Sequence, residues 1–171
     1  MWSNRYVQGQ GWEGAVVLEN GSTEAFGSSI AMDPKGTATV IWRQRDNNSN
    51  AWNVMTTRYV PGTGWVQPPA LIENMPGDAQ GWRDVAMDDI PDNEVGAVAI
   101  WVQEDGGVNS VFINTFIQGQ GWPQSASLLE TSNADAKGSQ LDIDPSGNVT
   151  AVWIQRDAND TRWDLWANVY N

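Results

Sequence analysis

Short apolar stretches separated by turn residues run along the whole chain. Each stretch is rich in valine, isoleucine, threonine and aromatic residues and is bounded by glycine, proline, asparagine or aspartate, which is typical of β-strands joined by turns. The segment Asp33-Pro34-Lys35-Gly36 illustrates such a turn, because proline presets φ and glycine supplies a positive φ. No stretch has a convincing helical period. The pattern therefore predicts an all-β chain.

The central apolar stretch of each unit departs from simple alternation of apolar and polar residues. Around Trp101, for example, Ala97 and Ala99 on one face alternate with Val98 and Ile100 on the other. A sheet with one solvent-exposed face alternates apolar with polar residues. These strands are therefore expected to be covered on both faces, as in the stacked four-stranded sheets of a β-propeller.

The same order of segments recurs three times along the chain. Each copy opens with a Gly-Trp pair, continues with an apolar run that ends in glutamate, and later reaches a strand centred on tryptophan. The aligned residues are Trp12, Trp65 and Trp122 of the Gly-Trp pairs, the glutamates Glu19, Glu73 and Glu130, and the central Trp42, Trp101 and Trp153. A large aromatic at a fixed place in each copy favours a core position between sheets. We predict one domain, 1–171, of three repeats, 7–59, 60–116 and 117–170, after a duplicated end strand at 1–6.

The predicted fold is of β-propeller type, with three four-stranded blades per chain. A β-trefoil and a β-prism are alternatives, because both build one domain from three similar units. The segment from Trp2 to Tyr6 matches the segment from Trp166 to Tyr170, so the last strand of the repeat occurs at both ends. Propellers generally have about four to eight blades. We therefore expect either a homodimer that completes a six-bladed ring or a fragment of a longer array.

Charge and composition exclude several functions. Nine Lys and Arg stand against 21 Asp and Glu, a net charge of -12, which repels nucleic acid and anionic lipid surfaces. The chain contains no His and no Cys, and therefore lacks the usual general base, the commonest zinc ligand and any thiolate. No apolar run approaches the roughly 20 residues that span a bilayer. We expect no nucleic-acid partner, no membrane insertion and no cofactor.

Carboxylate chemistry is the remaining route to catalysis. A glycosidase needs two carboxylates about 5–10 Å apart in distinct roles. The candidate carboxylates Glu19, Glu73 and Glu130 instead recur once per copy, which favours structure or multivalent binding. The sequence predicts that the protein is not an enzyme.

Several segments of the chain, IEN, GDA, VAMD, GAVAIW, LWANVY and PGTGW, resemble a tandem repeat of secreted or surface-anchored bacterial proteins. The resemblance implies propeller-like modules and a secreted or cell-surface setting, and it implies no activity. The first residues, MWSNRYVQGQ, lack the charged-then-apolar plan of a signal peptide.

A polar set follows each central tryptophan, and a loop tryptophan accompanies it in the first and third copies. The predicted ligand-binding residues are Gln44, Asp46, Trp52, Gln103, Asp105, Gln155, Asp157 and Trp163. Carboxylate and amide groups hydrogen-bond sugar hydroxyls while an indole stacks on the apolar sugar face, which predicts lectin-like glycan recognition at repeated sites. The alternative is structural: Asp caps the following turn and Gln ties neighbouring blades. The chain would then be a structural or protein-interaction repeat.

The segments Gln44–Trp52 and Gln155–Trp163 each hold Gln-x-Asp-x-Asn followed by tryptophan. They are similar to the Gln-x-Asp-x-Asn-x-Val-x-Tyr sugar site of monocot mannose-binding lectins. Asn50 and Thr161 stand where that family has valine, and tryptophan replaces its tyrosine.

Two acidic loops, 88–94 and 157–160, carry several oxygen ligands of the kind that bind Ca²⁺. Neither loop has the EF-hand spacing. We interpret both as solvated turns and predict no metal site.

Overall fold

The computed structural model describes residues 1–21, 23–88, 95–123, 125–159 and 161–170. Within these residues it contains strands and no α-helix, which confirms the all-β prediction. The strands are β1 (Trp2–Ser3), β2 (Tyr6–Val7), β3 (Gly11–Trp12), β4 (Val16–Val17), β5 (Ala25–Met32), β6 (Ala38–Arg45), β7 (Trp52–Val60), β8 (Gly64–Trp65), β9 (Ala70–Leu71), β10 (Ala79–Ala86), β11 (Val95–Asp105), β12 (Val108–Ile117), β13 (Ser127–Leu128), β14 (Ala136–Ile143), β15 (Val149–Arg156) and β16 (Trp163–Tyr170). No helix in these ranges has the length and apolar character to cross a membrane.

Three antiparallel sheets follow one another along the chain. Sheet I has the order β5-β6-β7-β8, with β9 also paired to β7; sheet II has the order β10-β11-β12-β13; and sheet III has the order β14-β15-β16. In sheets I and II a short, broken outer strand lies along the third strand. Within the described residues, sheet III has no such outer strand.

The three sheets share one register. The central tryptophan of each second strand lies opposite a large side chain of the third strand, in the pairs Trp42–Met55, Trp101–Phe112 and Trp153–Trp166. Positions counted from these pairs are therefore structurally equivalent in all three sheets. This equivalence allows the environment of each residue to be compared between sheets.

The first 18 residues, which we call the N-terminal segment, form two small strand pairs, β1 with β4 and β2 with β3. Trp2 lies opposite Val17, and Tyr6 lies opposite Trp12. This register repeats that of β7 with β9 and β8 in sheet I. The N-terminal segment therefore has the geometry of the two outer strands of a further sheet.

The outer strand of each sheet comes from the segment that opens the next sequence repeat. β8 and β9 lie within the predicted repeat 60–116, but they pair with β7 of the preceding repeat. β13 likewise pairs with β12. Each sheet with an outer strand thus straddles a boundary between sequence repeats.

The sheets pack face to face, and the apolar core lies between them. Between sheets I and II, Ile41 and Val54 pack with Val85, Ala99 and Trp101. A second cluster joins sheets II and III, and it includes Ile100, Val111, Leu141 and Trp153. A smaller third cluster joins Leu18 of the N-terminal segment to Val40 and Trp42 of sheet I. Since full burial of a Val, Leu or Ile contributes about 1.5–3 kcal/mol, these interfaces hold the stack together.

Candidate functional site

The central tryptophan and the glutamine two residues later lie on the same face of their strand, because side chains alternate along a β-strand. In sheet II the indole Nε1 of Trp101 donates a hydrogen bond to Oε1 of Gln103 at 2.8 Å. The same bond is 3.0 Å long between Trp42 and Gln44 and between Trp153 and Gln155. All three glutamines are buried.

The amide nitrogen of each glutamine is also used inside the protein. In sheet III, Nε2 of Gln155 donates to Oε2 of Glu130 and to the carbonyl oxygen of Ala134, each at 3.0 Å. In sheet II, Nε2 of Gln103 donates to the carbonyl oxygen of Gly77 at 3.1 Å and lies 3.5 Å from Oε2 of Glu73. Each bond holds the loop before the first strand of a sheet against the second strand of that sheet.

The glutamates complete this arrangement. Oε2 of Glu73 accepts a hydrogen bond from the amide of Met75 at 2.9 Å, and Oε2 of Glu130 accepts one from the amide of Ser132 at 2.7 Å. Both side chains are buried, and the second oxygen of each has no hydrogen-bond partner among the described residues. We call this series of side-chain hydrogen bonds, from the indole through the glutamine to the glutamate, the Trp-Gln-Glu chain.

The first copy differs at the glutamate. Glu19 forms an ion pair with the amino group of Met1. Gln44 instead lies 3.4 Å from Oγ1 of Thr23 and 3.5 Å from the carbonyl oxygen of Asn20. The complete Trp-Gln-Glu chain therefore occurs in sheets II and III.

Asp46 closes the turn after β6. Its Oδ1 accepts hydrogen bonds from the amide of Ser49 at 2.7 Å, the amide of Asn48 at 2.8 Å and the hydroxyl of Ser49 at 3.0 Å. These donors favour the charged carboxylate and lower the pKa of Asp46 below its usual value. The geometry is that of a turn cap.

Asp157 has the same role after β15. Hydrogen bonds from the amide of Arg162 at 3.1 Å, then from the amide and hydroxyl of Thr161 at 2.6 and 2.9 Å, lower the pKa of Asp157. Sheet II uses a different hairpin, in which Asp105 lies opposite Val108 across a Gly106-Gly107 turn. Both glycines have positive φ, 61° and 94°, as tight two-residue hairpins require.

The loop tryptophans lie on the opposite sheet face from the glutamines. Trp52 pairs with Arg45 in the register of β6 and β7, whereas Gln44 pairs with Asn53. The guanidinium groups of Arg43 and Arg45 lie 4.7 and 5.1 Å from the Trp52 ring centroid, within the range of cation–π attraction.

Trp163 is the equivalent residue of sheet III, and it pairs with Arg156. Nζ of Lys137 lies 3.7 Å from its ring centroid, and the guanidinium of Arg156 lies 4.6 Å away. The side chain is partly exposed. Two cationic side chains therefore lie against the Trp163 indole.

The structure therefore separates the predicted ligand-binding set. The glutamines point into the core, Asp46 and Asp157 cap turns, and Trp52 and Trp163 lie on the other face of the sheet. The Trp-x-Gln-x-Asp motif does not form one concave site with the loop tryptophan.

The tryptophans of the Gly-Trp pairs differ in their environments. Trp65 and Trp122 are half-buried against the core clusters, and Trp12 is exposed. Each packs edge-on against an aromatic ring of the preceding strand, as Trp12 does against Tyr6 at 5.5 Å between ring centroids. The recurrence of tryptophan at this position therefore reflects an aromatic pair within one sheet.

Three aspartates that the sequence did not single out tie the sheets together. Oδ1 of Asp78 accepts a hydrogen bond from the amide of Trp52 at 2.9 Å, so it joins sheets I and II. Asp135 joins sheet III to the amide of Asn109 in sheet II at 2.8 Å. The recurrence of Asp before the first strand, in Gly-Asp-Ala and Ala-Asp-Ala, is the signal that marks these two residues.

The third is Asp84, which lies on β10 and bridges all three sheets. It accepts hydrogen bonds from the hydroxyl of Ser29 at 2.7 Å and from the amide of Leu141 at 3.2 Å. The first strands of the three sheets are thereby linked through one carboxylate.

Arg83 also joins sheets I and II. Its guanidinium donates to the carbonyl oxygens of Phe26, Gly27 and Gln80. Burial, and to a lesser degree the neighbouring Arg43 guanidinium, lowers the pKa of Arg83 to about 10. The group stays protonated at neutral pH, so these hydrogen bonds persist.

Part of each predicted acidic loop falls outside the part of the chain that the structure describes. Residues 89–94 and residue 160 lie outside the described residues. Across the ranges that the structure describes, no group of three or more Asp, Glu, His or Cys is arranged to hold a metal ion.

Comparison with known proteins yields a likeness in fold alone. No protein-family model matches the sequence, and no curated protein matches it. The fold is similar to a crystal structure of the intramolecular trans-sialidase from Ruminococcus gnavus in complex with oseltamivir carboxylate, with a TM-score of 0.52 and 13% sequence identity. The match covers 95% of this chain and 36% of that chain.

Proposed function

We propose that the chain is a non-catalytic, propeller-type repeat module that serves as a structural and protein-interaction scaffold. The observation that supports this function is the buried Trp-Gln-Glu chain, which recurs in sheets II and III. The polar groups that recur most regularly are thus used to hold the loop before each of these sheets against the second strand of that sheet. The face-to-face packing of the three sheets supports the propeller arrangement.

The scaffold role is tested by replacing the glutamine of the Trp-Gln-Glu chain in sheet II. Gln103→Met keeps the side-chain volume but leaves the Trp101 indole N–H without its acceptor and the Gly77 carbonyl without a donor. A buried polar group left unpaired costs about 1–3 kcal/mol. We expect the free energy of unfolding in urea to fall by about that amount.

Gln118→Met is the matched control, because Gln118 is exposed in the turn after β12. An exposed substitution of this kind changes stability by about 0.5 kcal/mol or less. If Gln103→Met were as stable as the unmodified chain but lost binding to a glycan, the scaffold proposal would be wrong.

A second candidate is carbohydrate binding at Trp163. It is favoured by the partly exposed indole flanked by Lys137 and Arg156, and by the fold likeness to a trans-sialidase. An indole face packs on the apolar face of a sugar, and the ammonium group of Lys137 beside Trp163 would favour an acidic sugar over a neutral one.

A panel of neutral and sialylated glycans separates this candidate from the scaffold role. Binding that Trp163→Ala abolishes would support it. Trp82→Ala is the control, because Trp82 is also an exposed tryptophan but lies on β10. Absence of binding across the panel, or equal loss in both variants, would contradict carbohydrate recognition at Trp163.

A further inference from the structure

One face of sheet III is bare where its equivalents are covered. Leu165 lies opposite Ile154, in the position of Val54 in sheet I and Val111 in sheet II. The side chain of Leu165 is 76% exposed, whereas Val54 and Val111 are 0% exposed. Those two valines are buried because the next sheet packs on them. The bare face of sheet III is therefore an intersheet surface without its neighbour.

A second surface, on the other side of sheet I, is partly bare, because the N-terminal segment covers Val40 and Trp42 there but leaves Ile30 exposed. Ile30 is equivalent to Val85 of sheet II and Leu141 of sheet III, as their pairing with the second strand shows. Ile30 is 58% exposed, whereas Val85 and Leu141 are 5% and 9% exposed. The two bare surfaces are thus the two halves of an interface that is formed twice inside the chain.

The strand edges point to the same partner. β16 has no outer strand among the described residues, while β3 and β4 of the N-terminal segment are outer strands that pair only with the short β1 and β2. β1 and β2 have the register that β16 would need, because Trp2 lies opposite Val17 as Phe112 lies opposite Leu128. β16 and the pair β1–β2 are therefore alternative partners for the same outer strands.

Asn168 marks the vacant edge. Its equivalent in sheet II, Asn114, donates hydrogen bonds to the carbonyl oxygens of Ile72 and Pro123, each at 2.8 Å. Among the described residues, Nδ2 of Asn168 reaches only the counterpart of the first, the carbonyl oxygen of Leu129, at 3.5 Å. The position that corresponds to Pro123 in the N-terminal segment is that of Glu13, the residue after the Gly-Trp pair.

Clefts lie at both places. One of about 520 Å³ separates the N-terminal segment from sheet I, and Trp2, Tyr6, Ile30 and Met32 are among its lining residues. A cleft of about 200 Å³ lies beside β16. The cleft of about 520 Å³ lies where the first and second strands would be if the N-terminal segment were part of a complete sheet.

We propose that sheet III of one chain docks between the N-terminal segment and sheet I of a second copy, with β16 pairing with the second copy's β3 and β4 in place of β1 and β2. The reciprocal contact closes a two-chain ring of six sheets. Six lies within the range of about four to eight sheets that propellers use. Such pairing is an exchange of equivalent elements between copies, a low-cost route to dimers. It presupposes the propeller arrangement proposed above, but it is independent of the Trp-Gln-Glu chain. Trp163 lies on the same face of sheet III as Leu165, so this docking and sugar binding at Trp163 are alternatives.

Solution mass tests the docking of the bare face. Light scattering on the intact chain at micromolar concentration is expected to give twice the mass of one chain. Leu165→Asp places a charge in the interface and should reduce the mass to that of one chain. The control is Leu128→Asp, because Leu128 is an exposed leucine on the outer strand of sheet II and should leave the doubled mass unchanged.

Engineered disulfides test the register of strand exchange, without background because the chain has no cysteine. The pairs Ile113–Ser127 and Ser3–Val16 predict that Ala167 of one copy lies opposite Val16 of the other. The double variant Ala167→Cys with Val16→Cys should give a covalent dimer under mild oxidation. Ser3→Cys with Val16→Cys should link within one chain, hold β1 in place and yield a monomer.

Each other result contradicts the proposal. A single-chain mass for the intact protein excludes the two-chain ring, and a ladder of larger species shows open assembly. A link between residues 167 and 16 within one chain would show closure of a three-sheet ring. Circular dichroism of each variant shows whether it is folded, so loss of pairing is distinguished from loss of structure. The stability of Gln103→Met remains a separate measurement, so failure of the pairing leaves the scaffold proposal testable.

Discussion

Sheets II and III are built from the same repeat, but their second strands lie in different environments. In β11 every residue from 96 to 103 is buried, because sheets I and III cover both faces. In β15 burial alternates: Val149, Ala151, Trp153 and Gln155 are buried, and the residues between them are half-buried or exposed. A strand whose sequence is apolar on both faces is therefore buried on both faces only where a neighbouring sheet packs on each of them.

The difference matters for where stability resides. The residues on the covered face of β15 belong to the same core cluster as the facing side chains of sheet II. The residues on its other face, Thr150, Val152 and Ile154, are exposed or half-buried. Sheet III therefore depends on sheet II more than sheet II depends on sheet III.

The largest contrast is expected from truncating equivalent residues on the face toward the next sheet. Ile100→Ala removes a fully buried side chain between sheets II and III, and such changes cost about 2–5 kcal/mol. Val152 is its equivalent on the bare face and is half-buried. Val152→Ala in the unpaired Leu165→Asp background should cost less than about 1 kcal/mol. Urea denaturation of both variants measures the difference, and equal losses would show that the bare face is covered in the single chain.

A smaller contrast is expected in hydrogen exchange of the third strands. β12 lies between β11 and β13, whereas β16 pairs along one edge with β15 and has no second partner in the part of the chain that the structure describes. Opening free energies range from about zero at frayed edges to the global value in enclosed strands. The amides of β16 should exchange faster than those of β12 in Leu165→Asp, and they should slow in the intact chain as its concentration rises. Concentration-independent exchange at β16 would argue against its pairing with a second copy.

The smallest contrast concerns pH and the hairpin turns. The lowered pKa of Asp157 means that its carboxylate stabilises the folded state above the unfolded value near 3.8, and this contribution is lost as pH falls through the lowered value. Asp157→Ala should therefore lower the melting temperature more at pH 7 than at pH 2. Asp105→Ala should have little effect at either pH, since glycines shape that turn. A pH-independent effect of Asp157→Ala would mean that its charge is not what holds the turn.

Local pattern was sufficient to predict the strands, their turns and the apolar character of β11 on both faces. The site residues were harder, because their environments depend on register. Whether Trp52 shares a face with Gln44 depends on the length of the hairpin loop, which sets Arg45 opposite Trp52. The burial of Gln103 on β11 depends on Glu73 and Gly77. Both lie in the loop before β10, more than 20 residues earlier in the sequence.

The sheet boundaries could not be read from the repeats for a related reason. A periodic sequence does not show at which residue one structural unit ends and the next begins. In the sequence alone, Trp65 lies at the start of the second repeat. Hydrogen bonding to Tyr59 and its neighbours in β7 assigns it to the sheet before. Long-range pairing, and not local propensity, decides this assignment.

The sharing of outer strands across repeat boundaries has a consequence for how the molecule comes apart. The segment that ends sheet I continues directly into sheet II, and the segment that ends sheet II continues into sheet III. Unfolding of one sequence repeat would therefore also remove the outer strand from the sheet before it. The unit that is copied in the sequence is therefore not a unit that can melt alone, and unfolding should pass through the chain as a single cooperative event.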